Sequence, residues 1–329
     1  MTVKSNSHDA ALAPGLLLAV ASAAVFGTAG AVARPLLDAG WSPGALVTFR
    51  IGVAALVLLV PALLQLRGRW SLLRRHAGRL LAYGAFAVAG AQLFYFSAIQ
   101  HLSVGVALLI EYLAPVLIVG WLWARHGRRP TPLTTLGVAL SLSGLVLVLD
   151  VTGAVEIDLL GVLFALLAAG GLAVYFLLAD HDDATEPLPP LVLAGGGLVV
   201  GFAVLLVAGL ARLLPWRVST ADVVVAGAAL PWWVPALELA LVAGALAYVL
   251  GIAAVRRLRS TVASFVALTE VVFAVLFAWW LLGELPSAVQ LVGGVLIVGG
   301  VVAVRLGEQR RQQPSRTASA RSLSAASTE

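Results

Sequence analysis

Ten uninterrupted apolar segments follow one another along this 329-residue chain, at approximately 12–33, 44–64, 80–99, 102–124, 132–149, 159–179, 188–211, 235–255, 260–282 and 287–304. Each is bounded by charge, proline or a polar cluster, and each is 18 to 24 residues long. A helix needs about 20 residues to cross the hydrocarbon core, whereas barrel strands are about 10 residues long with alternating polarity. Composition leaves no soluble alternative, because 61% of the residues are hydrophobic and 11% are charged. A soluble domain carries about 25% charge, and 34.0 kDa of chain has no interior large enough to hide this much apolar surface from water. The expected fold is an all-α membrane protein of ten transmembrane helices.

Residues 1–11 read as a polar cytoplasmic segment and 305–329 as a disordered basic tail, with the long internal loop at 213–234. If the N-terminus is cytoplasmic, 17 basic residues fall on the inside, Arg34, Arg212 and Arg217 fall outside, and Arg50 lies within a span. That asymmetry is the positive-inside signature and places both termini in the cytoplasm. The basic residues thus report orientation, and no nucleic-acid partner is expected. Arg outnumbers Lys 20 to 1, which, with the Ala, Gly, Val and Leu richness, suits a GC-rich bacterial genome and hence a bacterial inner membrane. The bilayer and a small-molecule substrate are the expected partners, with protons as a candidate coupling ion and the chain a monomer or homodimer.

Several chemistries are excluded. The chain has no Cys, so thiolate metal sites, iron–sulfur clusters and thiol nucleophiles are absent. Its five His stand singly at 8, 76, 101, 126 and 181, with no pairing that suggests a metal, and Asp180-His181-Asp182-Asp183 reads as a solvated loop. No cofactor is expected. There is no phosphate-binding P-loop, so this chain supplies no ATP-driven transport. An enzyme is not expected, because no Ser–His, His–Glu–His or paired-Asp set sits at matching depth. An intramembrane enzyme and a non-transporting receptor or scaffold are the alternatives to a transporter.

The most informative feature is an internal repeat. Residues 98–149 align without gaps on 254–305 at an offset of 156, with 14 of 52 positions identical. Trp123/Trp279, Gly127/Gly283, Pro130/Pro286, Gly137/Gly293 and Gly144/Gly300 are among them. Nearer the start, an offset of 146 pairs Gly15/Gly161 and Pro43/Pro189. Two five-span halves follow, 12–149 and 159–304, and an odd span number makes the second enter from the opposite side. The loops agree, since Arg125-His126-Gly127-Arg128-Arg129 is basic and its counterpart Leu281-Leu282-Gly283-Glu284-Leu285 is not. Two inverted five-helix repeats suit a carrier, because exchanging the halves' conformations moves the opening from one side to the other.

This plan resembles the drug/metabolite transporter superfamily, EamA-type, over residues 12–304. Ala107-Leu108-Leu109-Ile110-Glu111-Tyr112-Leu113-Ala114-Pro115 looks like the family's fourth-span motif, and Leu281-Leu282-Gly283-Glu284 like its end of the ninth span. Where the family often has Glu-Pro in span nine, this chain has Glu270-Val271. The resemblance implies export of amino acids or related metabolites through a central cavity lined by spans 1, 3, 4, 6, 8 and 9.

The candidate pathway residues are few. Glu111 lies nine residues into its span, about 14 Å deep at 1.5 Å per residue, where an acid costs about 2.5–3.5 kcal/mol to insert. It marks either a proton or substrate pathway or a structural hydrogen bond. Pro115, four residues on, cannot donate to the Glu111 carbonyl. Glu270, preceded by Thr269, lies ten residues into span nine; the two acids are not repeat mates, but each is one turn from the other's equivalent. Arg50 lies six residues into span two and either snorkels outward or binds a carboxylate. Gln92 and Tyr95 share a helix face. Tyr112, Tyr175 and Tyr248 fall in spans the resemblance assigns to the cavity, whereas Tyr83 suits the interfacial aromatic belt. Glu238, three residues into its span, is set aside as able to reach the headgroups. Glycines of spans five and ten offer small faces for close helix packing.

Overall fold

The structure, a computed structural model, describes residues 5–127, 129–148, 158–179, 188–251, 253–254, 257, 266–304 and 306–307. The acidic loop at Asp180–Asp183 and residues 308–329 of the tail lie outside the described residues. The helices are α1 (Ser5–Asp38), α2 (Pro43–Leu66), α3 (Ser71–Arg75) and α4 (Ala77–Ala82). The last runs through a π-helical stretch, Tyr83–Gly90, into α5 (Ala91–Ala98). Then come α6 (Val104–Glu111), α7 (Ala114–His126), α8 (Pro132–Val148), α9 (Leu159–Ala179) and α10 (Pro190–Leu210). A hairpin of β1 (Val223–Val225) and β2 (Ala228–Leu230) precedes α11 (Trp233–Leu237), which continues as a second π-helical stretch, Glu238–Leu246. The chain closes with α12 (Thr269–Leu282) and α13 (Ala288–Val304).

Six helical segments among the described residues are long and apolar enough to cross a bilayer: Pro14–Asp38, Pro43–Leu66, Ala77–Ala98, Val104–Arg125, Leu191–Leu210 and Trp233–Gly251. Pro132–Val148, Leu159–Tyr175, Thr269–Leu282 and Ala288–Val304 are shorter apolar stretches. Residues 5–11 belong to α1, since nothing between Ser5 and Ala13 breaks a helix. One expectation is corrected: the fold is mostly but not wholly α. In the 213–234 loop, Ala226 (φ 51°) and Gly227 (φ 80°) supply the two positive-φ positions a tight hairpin turn needs.

Local chemistry sets the helix ends. Ser42 caps α2, accepting from the Ala45 N–H, and Pro43 follows at the first turn, where its missing N–H costs nothing. Asp158 caps α9: its Oδ1 accepts from the N–H groups of Leu160 and Gly161, and its Oδ2 lies 2.7 Å from His101 Nδ1. These contacts, the Gly161 N–H foremost and then His101, hold the Asp158 carboxyl below the usual carboxylate range. Gly127 (φ 62°) ends α7 and Gly283 (φ 72°) ends α12, both in the left-handed conformation that glycine adopts without strain. In each, the glycine N–H donates to the tryptophan carbonyl four residues back, Trp123 or Trp279, at 3.0 Å. The repeated Trp-x-x-x-Gly is therefore one helix-stopping device used twice.

The chain forms two compact units, Met1–Glu111 with Asp158–Pro286, and Tyr112–Ile157 with Ser287–Glu329. Each takes helices from both sequence halves. In the first, α2 packs on α10, α1 on α12 and α5 on α9. Gly52 admits the Phe202 ring and Gly27 admits Phe273. In the second unit, a Cβ on Gly137 would lie 2.5 Å from the Gly300 carbonyl, and one on Gly144 would lie 2.5 Å from that of Gly293. As numbering rises along α8 it falls along α13, so the two helices run antiparallel. The repeat pairs Gly137 with Gly293 and Gly144 with Gly300, and exchanging the halves turns one contact into the other, as a two-fold contact requires.

The outer faces are apolar. Leu56, Val60, Leu81 and Phe86 are more than half exposed, an arrangement that water penalises and lipid accommodates.

Candidate functional site

Within the first unit, polar side chains from seven of the apolar segments lie within contact or electrostatic reach of one another. Arg50 of α2 is only 4% exposed and turns into the unit. Its Nη1 donates to Gln92 Oε1 at 2.6 Å and its Nη2 to the Ala243 carbonyl at 2.9 Å. Its guanidinium carbon lies 5.4 Å from the Phe96 ring centroid, within cation–π range. The Gln92 side chain also lies near the Tyr248 hydroxyl, so the 92–95 face of α5 stands between α2 and the helix that carries Tyr248. These bonds tie Arg50 to the interior, in place of an outward, snorkelling course.

Three carboxylates act on this guanidinium electrostatically. Glu238 and Glu270 are both within electrostatic reach of Arg50, and Glu111 is within reach of Glu270 and Arg50. Tyr95 is close to Glu111, Glu270 and Arg50; a Cβ at Gly30 of α1 would lie 2.5 Å from its hydroxyl. Glycine there makes room for the phenol. One guanidinium against three carboxyls leaves a negative excess when all are ionised. A low-dielectric interior penalises that excess unless protons or a cationic group offset it.

Glu238 is the residue that sequence reasoning set aside, and its placement corrects that reading. Thr28 Oγ1 of α1 lies 2.8 Å from Glu238 Oε1, while Oε2 is buried with no hydrogen-bond partner among the described residues. Depth along a span said that Glu238 could reach the headgroups; the face of the helix decided otherwise. Tyr83 is corrected likewise. It is buried at 3% exposure, its ring centroid 5.7 Å from that of Tyr175, because Gly197 of α10 leaves space for it. Tyr175 in turn is within electrostatic reach of Tyr248, whose ring meets Phe26 edge-on at 5.3 Å.

The backbone beside these groups is irregular in both halves. Adding the 156-residue offset to the π-helical stretch Tyr83–Gly90 gives 239–246, and the second such stretch is Glu238–Leu246. Wider turns of this kind recur at functional sites, and here one of them presents the Ala243 carbonyl to Arg50. Helix α6 stops at Glu111 and α7 starts at Ala114, leaving Tyr112 and Leu113 as a turn. In the other half, Leu268, the equivalent of Tyr112, is a turn between helical residue 267 and α12. No proline makes that second break. Val271 N–H reaches the Leu268 carbonyl at 3.3 Å, and Thr269 Oγ1 donates to the Val266 carbonyl at 2.6 Å. Glu111 thus ends one half-helix and Glu270 begins another.

Tyr112 and Pro115 belong to the second unit. There Tyr112 is buried and Pro115 sits in the first turn of α7. Glu284, the acid of the Leu-Gly-Glu motif, accepts from the Val104 N–H at 3.0 Å, satisfying the start of α6. Its other oxygen lies 3.8 Å from Arg34 Nη1, and Arg34 also donates to the Ile99 and Leu102 carbonyls.

The comparisons with known proteins agree with this architecture. The model of the EamA-like transporter family matches residues 13–150 and again 159–306. A relative from Archaeoglobus fulgidus named "Uncharacterized transporter" is 29% identical over 208 residues, 63% of this chain and 69% of its own. A solved crystal structure, described only as that of a protein, is similar at a TM-score of 0.56 and 19% identity, over 90% of this chain and 98% of its own. The two family matches span most of the chain, which therefore belongs to the EamA-like transporter family and is a multi-pass membrane protein.

Proposed function

We propose that this protein is a secondary carrier that exports amino acids or related small metabolites by alternating access, with protons as the coupling ion. The observation that carries the reading is the buried guanidinium of Arg50, held by Gln92 and Ala243, with Glu111, Glu238 and Glu270 within its electrostatic reach inside one unit. A zwitterion matches that polarity, its carboxylate toward Arg50 and its ammonium toward a glutamate. Two of the five N–H donors of Arg50 are engaged by Gln92 and Ala243, which leaves donors for a bidentate grip on a carboxylate. Gln92, Tyr95, Tyr175 and Tyr248 supply neutral polar contacts. Glu111, Glu270, Thr269, Tyr112 and Pro115 lie at the helix breaks, where half-helix ends offer backbone groups to a ligand. The antiparallel contact of α8 with α13 and the equivalent breaks in both halves support an inverted repeat.

The test is uptake of radiolabelled neutral amino acids into inside-out proteoliposomes, with and without a proton gradient. Gradient-stimulated uptake of at least one is expected. Flux indistinguishable from protein-free liposomes across the panel would overturn the reading.

Both termini are assigned to the cytoplasmic side of a bacterial inner membrane, on the positive-inside count. A cytoplasm-dependent reporter fused after Arg310 should be active and one inserted near Thr220 silent; the reverse pattern would sink the assignment.

A further inference from the structure

Away from the polar cluster, the first unit carries an apolar cleft of about 650 Å3 between α2 and α10. Phe49, Val53 and Leu56 form one wall and Val199, Phe202 and Leu206 the other. Leu56 is 70% exposed at its rim, so the cleft opens where α2 faces the membrane. Thr48 donates its hydroxyl to the Gly44 carbonyl and Trp41 its indole N–H to the Ser219 carbonyl. Neither is left to bind a polar metabolite. An apolar chain fits, and the bilayer supplies one at this depth.

The mouth of the cleft is a built structure. Trp41, Trp216 and Trp232 line that end, and the Trp41 ring lies tilted at 5.6 Å from that of Trp232 and meets Phe49 edge-on at 6.2 Å. The Trp216 ring lies over Gly209, where any Cβ would collide with it. The loop after α10 is sewn to the start of α2: Ser42 N–H donates to the Arg217 carbonyl at 2.9 Å, and Arg217 N–H donates to Ser42 Oγ at 3.0 Å. Ser42 Oγ donates to the Pro215 carbonyl at 2.7 Å. Tryptophan marks headgroup level in membrane proteins. Two exposed cations lie in the same short loop as Trp216: Arg217, whose chain neighbours Trp216 and Val218 both line the cleft, and Arg212, four residues before Trp216. They are two of the three basic residues that the charge count places on the outer side.

We propose that this cleft is a lipid site that takes an acyl chain of an anionic phospholipid between α2 and α10, with the headgroup phosphate at Arg212 and Arg217. The side chains divide the labour as the lipid does: apolar walls for the chain, tryptophans at the interface, guanidinium forks for the phosphate.

The test uses the full chain in detergent, stripped of lipid and supplied with phosphatidylglycerol or phosphatidylcholine of identical acyl chains. Native mass spectrometry should retain one phosphatidylglycerol, and the melting temperature should rise about 3–6 °C more than with phosphatidylcholine. The double variant Arg212→Gln/Arg217→Gln, both exposed, should fold and lose that difference. Val53→Trp, which fills the cleft, should lose both bound lipids. Equal stabilisation of the wild type by the two lipids would overturn the proposal. So would a headgroup preference that survives the double variant, or a lipid-free dimer closed over the cleft.

Discussion

Glu111→Gln is expected to insert and fold as wild type does and to lose gradient-driven transport. The amide keeps the shape and a neutral hydrogen-bonding group but cannot gain or lose a proton. Glu111 ends α6 at the two-residue break before α7, within reach of both Glu270 and Arg50. Its charge state therefore acts on the other two groups of the cluster. A coupling of about 1–3 kcal/mol between proton and substrate corresponds to roughly 5- to 150-fold in affinity, and uphill transport should fall by a factor in that range. Exchange of substrate across the membrane, which needs no net proton movement, should survive. The comparison is made in proteoliposomes at matched protein amounts, from mildly acidic to mildly alkaline external pH. Equal rates and the same pH profile would return Glu111 to a structural hydrogen bond.

How far the sequence reached depends on which physical signal each feature leaves in it. The six helices long enough to cross a bilayer were legible because apolar length is a one-dimensional quantity. The paired glycines were legible because two places demand them. At Gly127 and Gly283 the backbone is left-handed, and along α8 and α13 the carbonyl of one glycine occupies the space of the other's Cβ. Facing direction was not legible. A span that is apolar all round has no polar stripe to fix its rotation, so depth alone placed Glu238 at the headgroups although Thr28 draws it inward. The π-helical stretches were hidden because an extra residue per turn leaves an apolar run apolar. They nonetheless fall at equivalent places in the two halves, Tyr83–Gly90 and Glu238–Leu246. The break at Leu268 had no proline to announce it; beside it the Thr269 hydroxyl bonds back to the Val266 carbonyl.

Arg50 gives the other large effect. Replacing it with lysine keeps the charge and removes the fork. In the resting arrangement one guanidinium bridges Gln92 Oε1 and the Ala243 carbonyl, linking α2, α5 and the second π-helical stretch through a rigid planar group. An ammonium is a point donor on a flexible stem and cannot hold both acceptors while gripping a carboxylate. Losing one charge-assisted hydrogen bond costs about 1.5–3 kcal/mol, or roughly 10- to 150-fold in apparent affinity. Arg50→Lys should therefore raise the substrate concentration for half-maximal transport by that factor. Its maximal rate and melting temperature should change far less, because the positive charge that Glu238 and Glu270 act on is kept. A substrate-binding role predicts a second result: analogues lacking the carboxylate should bind wild type and Arg50→Lys alike. A purely structural role predicts the opposite, a lower melting temperature with an equal loss for every substrate, and that outcome would remove Arg50 from the binding site.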